Sequence, residues 1–331
     1  MKNINIAFLL ICLVFLIGCS EKKNKNEFVK VSLRQEWFPN SNYAGALFAA
    51  NDFAKKHKLE IEIEPGSDNI DPVKMVISGQ NTFGDAGADK ILAANERGAD
   101  LVVIGVLNCN SPTCFIAKYE KKIRTPKDFE GKRIGVLTST STEYVYRTLV
   151  KVTNLDESKL TEIEIPFDLG TFITDAYDVR PAFIYDEPVS LDLQKIKYDI
   201  IEPRKYGVSF LGTVYFTTRD TIMKNPEVVQ AFVNSVADGW RAANKYPERA
   251  IEYLKIYDSD IDKERELLSL KKAQSYFQGK NNKILWADIE DWNEMLNALK
   301  NLQVIRNVDL VRSIDNSFLE KYYSIINKKD M

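Results

Sequence analysis

Rings, carboxylates and short hydroxyl runs recur in this sequence just where an apolar run ends. Gln35-Glu36-Trp37-Phe38-Pro39-Asn40-Ser41-Asn42-Tyr43 follows the alternating Val29–Leu33. Trp37 offers a flat face and an indole N–H donor. Phe38 and Tyr43 add two more rings. Asn40 and Ser41 are helix-capping residue types, so Asn40 either caps the next helix or also touches a ligand. Free N–H groups in that helix's first turn would favour an electronegative group. Asp85 ends another short run and serves either as a ligand carboxylate or as a cap for the helix near Lys90. Asn108 follows the apolar run Leu101–Leu107. Ser139 and Thr140 precede Glu143, and Thr140 and Glu143 have capping-box spacing. Their hydroxyls either cap or hold an anion or polar substituent. Tyr185 and Glu187 set a ring beside a carboxylate, which can accept from an amine and a ring N–H together; otherwise Glu187 is a surface or hinge residue. Tyr215 lies on a later apolar run, near the expected hinge.

These residue types suit holding a flat polar ring better than breaking bonds. His57 is the sole histidine and is expected on the surface. No G-x-S-x-G elbow, H-E-x-x-H pair or phosphate-binding glycine loop is present. No metal site is expected, since no second cysteine pair accompanies Cys109 and Cys114. No cofactor is expected either. A small anion would want an arginine in the cleft, and neither Arg34 nor Arg180 has an evident place there.

The elements that must position these residues alternate strand and helix patterns. Leu59–Ile63 alternates apolar and charged residues, as a strand does. Tyr43–His57 is helix-like, with Leu47, Ala50 and Ala54 on one face. Leu101–Leu107 reads as a strand buried on both faces. This order predicts a parallel sheet covered by helices. A second such unit begins near Arg124, with strands at Lys132–Leu137, Thr161–Ile165, Ala182–Tyr185 and Tyr198–Ile201. Phe210–Thr217 reads as a strand returning to the first unit, and the pattern from Asn225 onward is helical. The expected fold class is therefore α/β. It has two doubly wound domains joined by a two-strand hinge: residues 28–118 with 210–331, and 119–209 inserted between them. The crossings are expected near 117–123 and 205–213.

The chain has 331 residues, enough for about two domains. Its formal net charge is -2, from 45 basic and 47 acidic side chains. No basic excess points to nucleic acid. Lys2 and the apolar run Ile6–Ile17 suit an export signal and are too short for a membrane span, which needs about 20 residues. The polar stretch 20–27 has nothing to bury and reads as a tether. Cys109 and Cys114 are close enough in sequence for a disulfide outside the cytoplasm; two buried thiols are the alternative.

Leu16-Ile17-Gly18-Cys19 resembles the bacterial lipobox. That resemblance implies that residues 1–19 are a lipoprotein signal and that Cys19 carries lipid. A larger resemblance runs through four segments: Trp37-Phe38-Pro39-Asn40, Gly79–Ala88, Pro126–Val136 and Asp178–Pro188. In this order they are similar to substrate-binding proteins for thiamine pyrimidine precursors. The resemblance implies a type II periplasmic binding protein fold and no enzymatic activity. It also implies ligand contacts at the matching residues, Glu187 among them. The expected partners are a small-molecule ligand, the permease of an ABC importer and a membrane reached through the lipid, with the protein a monomer on the extracytoplasmic side. One departure stands out: Tyr43 replaces the family's histidine. Eukaryotic relatives that synthesise the precursor use that histidine and a cysteine-rich run; both are missing here. The ligand expected first is a thiamine pyrimidine precursor. Riboflavin or a related ring comes next, then sulfonate, taurine or nitrate. A synthase-like enzyme and a surface adhesin are the remote alternatives.

Overall fold

A computed structural model describes residues 28–279 and 282–327. The signal at 1–19, Cys19 and the tether at 20–27 lie outside the described residues. Among the described residues, ten strands form two five-stranded sheets. In chain order the strands are β1 (Val29–Arg34), β2 (Leu59–Glu64), β3 (Phe83–Gly87), β4 (Leu101–Val106), β5 (Thr113–Lys118), β6 (Arg133–Val136), β7 (Thr161–Glu164), β8 (Val179–Phe183), β9 (Tyr198–Ile201) and β10 (Thr213–Thr218). The first sheet has the order β2-β1-β3-β10-β4 and the second β7-β6-β8-β5-β9.

Burial follows the sequence pattern. Leu59, Ile61 and Ile63 of edge strand β2 face the core, while Glu60 and Glu62 face water. Strand β4, at the opposite end of the sheet order, is buried at every position. The helices are α1 (Ala44–Phe48), α2 (Pro72–Ile77), α3 (Ala88–Glu96), α4 (Ser141–Val152), α5 (Gly170–Ile173), α6 (Glu187–Leu193), α7 (Arg219–Lys224), α8 (Pro226–Lys245), α9 (Pro247–Tyr257), α10 (Lys263–Ala273), α11 (Ile289–Asn301), α12 (Leu310–Ser313) and α13 (Ser317–Asn327). Proline occupies the first turn of α2, α6, α8 and α9, where its missing N–H costs nothing.

Four expectations need correction. The sheets are mixed, not parallel: β10 runs antiparallel to β3 and β4, and β5 to β8 and β9. Each of these strands follows a direct link from the other sheet, without the long crossover that a parallel neighbour requires. For the same reason β5 belongs to the second sheet, so the outward crossing lies before it. The two crossing segments bond to one another, Ser111 N–H to the Phe210 carbonyl at 2.7 Å and Gly212 N–H to that of Asn108 at 2.9 Å. Cys109 and Cys114 are free, buried thiols, not a disulfide. Cys109 packs with the larger core and donates to the Trp286 carbonyl at 2.8 Å. Cys114 sits in a separate cluster of the second sheet with Ile116 and Leu137. Burial pushes the Cys109 thiol up to about 12. His57 is half-buried rather than free on the surface, and its Nε2 lies 3.1 Å from Asp238.

The helical segment after Trp37 packs tightly on α8. A Cβ at Gly45 would overlap the Trp240 ring, and one at Gly239 would overlap the Gly45 carbonyl. Gly45→Ala is therefore expected to destabilise the fold by about 1–3 kcal/mol, as overpacking does. Urea unfolding checks this. An unchanged midpoint would show that α8 yields at no cost.

Candidate ligand-binding cleft

A cleft of about 1050 Å³ lies between the two lobes, on the strand-end loops of both sheets. Ligands of open α/β sheets bind at such ends. Trp37, Asn40 and Tyr43 line it from the first lobe, and Ser139, Thr140, Tyr185 and Glu187 from the second. Four other expected residues do not line it. Phe38 projects half-exposed and meets the Trp37 ring edge-on at 5.4 Å. Asp85 is enclosed below the floor, where its Oδ1 accepts from Glu36 N–H at 2.9 Å. Asn108 is buried at the crossing, accepting from Thr213 N–H at 3.2 Å and donating to the Tyr185 hydroxyl at 3.4 Å. Tyr215 lies in the core beneath α8, where its hydroxyl accepts from the Trp240 indole at 2.9 Å. Tyr215 and Asp85 are direct neighbours on β10 and β3, and their side chains share the covered face of the sheet.

The first helical turn after Trp37 does not present its N–H groups to a ligand. Asn42 N–H goes to the Asn40 side chain at 2.8 Å, and Ser41 N–H to Glu266 at 2.6 Å. Asn40 thus caps the turn while also lining the cleft. Thr140 does not form the capping box its spacing suggested, since its side chain accepts from no backbone N–H of the helix's first turn. Its hydroxyl donates to the Leu137 carbonyl at 2.7 Å, and Glu143 instead accepts from Ser139 N–H at 2.7 Å. Ser139 adopts a left-handed backbone, φ 62°, to make that turn.

The two lobes meet across the cleft. Phe167, on the loop after β7, brings its ring to 4.9 Å from Trp37. Arg180 fixes that loop from below. It is wholly buried and donates to the Pro181 carbonyl at 3.1 Å, to Asp168 at 2.8 Å and to Phe167 at 3.1 Å. It also reaches Glu187 Oε1 at 3.3 Å. Glu187 Oε2 accepts from Phe183 N–H at 2.8 Å. Both Glu187 oxygens are thus engaged by protein donors. Burial and then the Asp186 carboxylate push Glu187 up to about 7, against the pull of Arg180. Ser141 donates to Asp89 across the cleft at 2.6 Å, and Arg265 of α10 joins Asp186 and Ser190. Tyr185 donates to Asn42 at 3.0 Å. Burial raises both tyrosine hydroxyls, Tyr43 and Tyr185, so they stay neutral donors.

Phe167, Asp89 and Arg265 were not legible as site residues. Asp89 is the second residue of a helix, and Arg265 is more than two hundred residues from the Trp37 segment. Phe167 carried a usable signal, since Phe167-Asp168-Leu169-Gly170 directly follows a strand of the second unit.

The family model described as NMT1/THI5 like matches residues 40–250, well over half of the chain and both lobes. The chain belongs to the NMT1/THI5-like family. Among relatives of this family member, the formylaminopyrimidine-binding protein of Halalkalibacterium halodurans is 23% identical over 313 residues, covering 90% of this chain and 94% of that one. The 4-amino-5-hydroxymethyl-2-methylpyrimidine phosphate synthase of Legionella pneumophila is 23% identical over 230 residues, covering 68% and 72%. The structure of a putative periplasmic sulfonate-binding protein SsuA from Methylobacillus flagellatus KT superposes with a TM-score of 0.71 at 12% identity, covering 91% of this chain and 96% of that one. That likeness establishes the periplasmic binding protein fold.

Proposed function

We propose that this chain is an extracytoplasmic solute-binding lipoprotein of an ABC importer, which captures an aminopyrimidine of the thiamine-precursor type between its lobes. The observation that carries the reading is the ring pair Trp37–Phe167, one ring from each lobe, 4.9 Å apart at the cleft. The two rings, tilted 53° to one another, form an aromatic wall from both lobes on which a flat ring can stack. Tyr185, Glu187 and Asn40 supply polar atoms around it. The name of the Halalkalibacterium relative supports the same ligand class. Closure is favoured by the contacts that a ligand adds in the closed form. Lipid on Cys19 would hold the protein beside its permease.

Sulfonate, taurine or nitrate is disfavoured because, among the described residues, no buried guanidinium is free. Arg180 is spent on carbonyls and Glu187, and Arg34 on Asn81, Pro65 and Glu64. Thermal unfolding against aminopyrimidines, riboflavin, taurine and nitrate tests the reading. At about 100 times Kd a ligand of the folded state adds about 2.7 kcal/mol, a rise of several degrees. A rise with an aminopyrimidine is expected. A rise with taurine or nitrate alone would overturn the ligand class.

A further inference from the structure

The cleft is short of positive charge. Its cations are Lys74, Lys90, Arg97 and Arg265. Lys90 is held by Glu36 at 2.7 Å, Lys74 by Asp71 at 3.6 Å, and Arg265 by both Asp186 and Glu266. Arg97 stands on the exposed rim. Asp89 is different. Its carboxylate lines the cleft at 2% exposure, and its bond across the lobes comes from the neutral hydroxyl of Ser141. Neighbouring Lys90 turns its ammonium to Glu36 instead. Below the same floor, Asp85 Oδ2 and both amide atoms of Gln35 are buried without a protein partner. Glu187 completes the set on the opposite lobe, its one cation being Arg180. Buried carboxylates without matching cations are costly unless something charged or protonated faces them.

We propose that the cleft selects a ligand carrying a positive charge, namely a flat heteroaromatic ring bearing a protonated amine, with Asp89 as the carboxylate that pairs with the amine. This rests on the reading of the cleft as an aminopyrimidine site and narrows it. The ring faces of Trp37 and Phe167 favour a cation as well as a flat ring. The surroundings of Asp89 agree. Burial raises its carboxyl above the ordinary range, Glu36 adds to that, and Ser141 and Lys90 oppose it. Tyr144, the further titratable neighbour, is itself raised by burial and by Asp89. The ligand's amine would thus meet a carboxylate that acid removes, and binding weakens as pH falls.

The test uses three 4-amino-2-methylpyrimidines that differ at one substituent: aminomethyl, hydroxymethyl and the phosphate ester of the latter. Titration calorimetry on the full chain at pH 8 is expected to give affinities at least tenfold higher for the aminomethyl compound than for the hydroxymethyl compound, with the phosphate weakest. That ratio is expected to shrink at pH 6 and at high salt. Asp89→Asn, which keeps an acceptor for Ser141, is expected to narrow it about fivefold or more. The inference is overturned if the neutral or anionic compound binds as tightly as the cation, or if Asp89→Asn leaves the ratio unchanged. Tight binding of the neutral compound would overturn this inference alone. Failure of all three to bind would overturn the aminopyrimidine reading with it.

Discussion

Trp37→Ala is expected to weaken aminopyrimidine binding by about 10- to 100-fold, since stacking a base on an aromatic side chain is worth about 1–3 kcal/mol. The loss should appear without unfolding. Trp37 is only partly buried and packs on Phe38 and Phe167, not in either core. Its removal should move the urea midpoint little. Trp37→Phe keeps a ring and should recover most of the affinity. Calorimetric titration of the three proteins with one aminopyrimidine checks this. Equal affinity in wild type and Trp37→Ala would remove Trp37 from the site and take the ring-pair argument with it.

Arg180→Met is expected to be the most destabilising change near the cleft. The guanidinium has no exposed surface and serves three carbonyls as well as Glu187. Removing it leaves a buried carboxylate without its cation, a loss of about 3–5 kcal/mol. For a chain of this size that is a fall of roughly 10 °C in the unfolding midpoint. Affinity should fall as well, because the loop carrying Phe167 loses its support. Adding Glu187→Gln to Arg180→Met removes the stranded charge and should recover about 1–2 kcal/mol. A double variant no more stable than Arg180→Met would show that the carbonyl bonds, not the ion pair, carry the role.

The sequence made the two-lobed α/β architecture legible because strand alternation and capping are local. The pattern of Leu59, Ile61 and Ile63 could be read without knowing what they pack against. Strand direction was not local in this way. Nothing in Thr113–Lys118 or Thr213–Thr218 records that each enters its sheet antiparallel, since direction depends on which lobe the chain came from. The choice between a disulfide and two buried thiols stayed open in the sequence for the same reason. Their spacing is short, but the chain crosses between lobes inside it, and each thiol enters a different cluster.

The lining of the candidate cleft was legible where aromatic and polar residues follow strands. Trp37, Asn40, Tyr43, Ser139, Thr140, Tyr185 and Glu187 all line the cleft. Asp85 and Tyr215 were chosen on the same rule but point to the covered face of the sheet. Asp85 shares the face of buried Phe83, and the strand comes to the cleft only at its last residue, Gly87. Asp89 and Arg265 escaped because their roles exist only across the lobes.

The measurement that tests the central claim most directly is recovery of the bound compound. The full chain is mixed with an aminopyrimidine, passed through gel filtration and denatured, and the released small molecule is weighed by mass spectrometry. A binding protein returns close to one unchanged molecule per chain, and Trp37→Ala returns far less. A chemically altered compound would move the chain to the side of its synthase relative, and an empty protein would contradict the binding account.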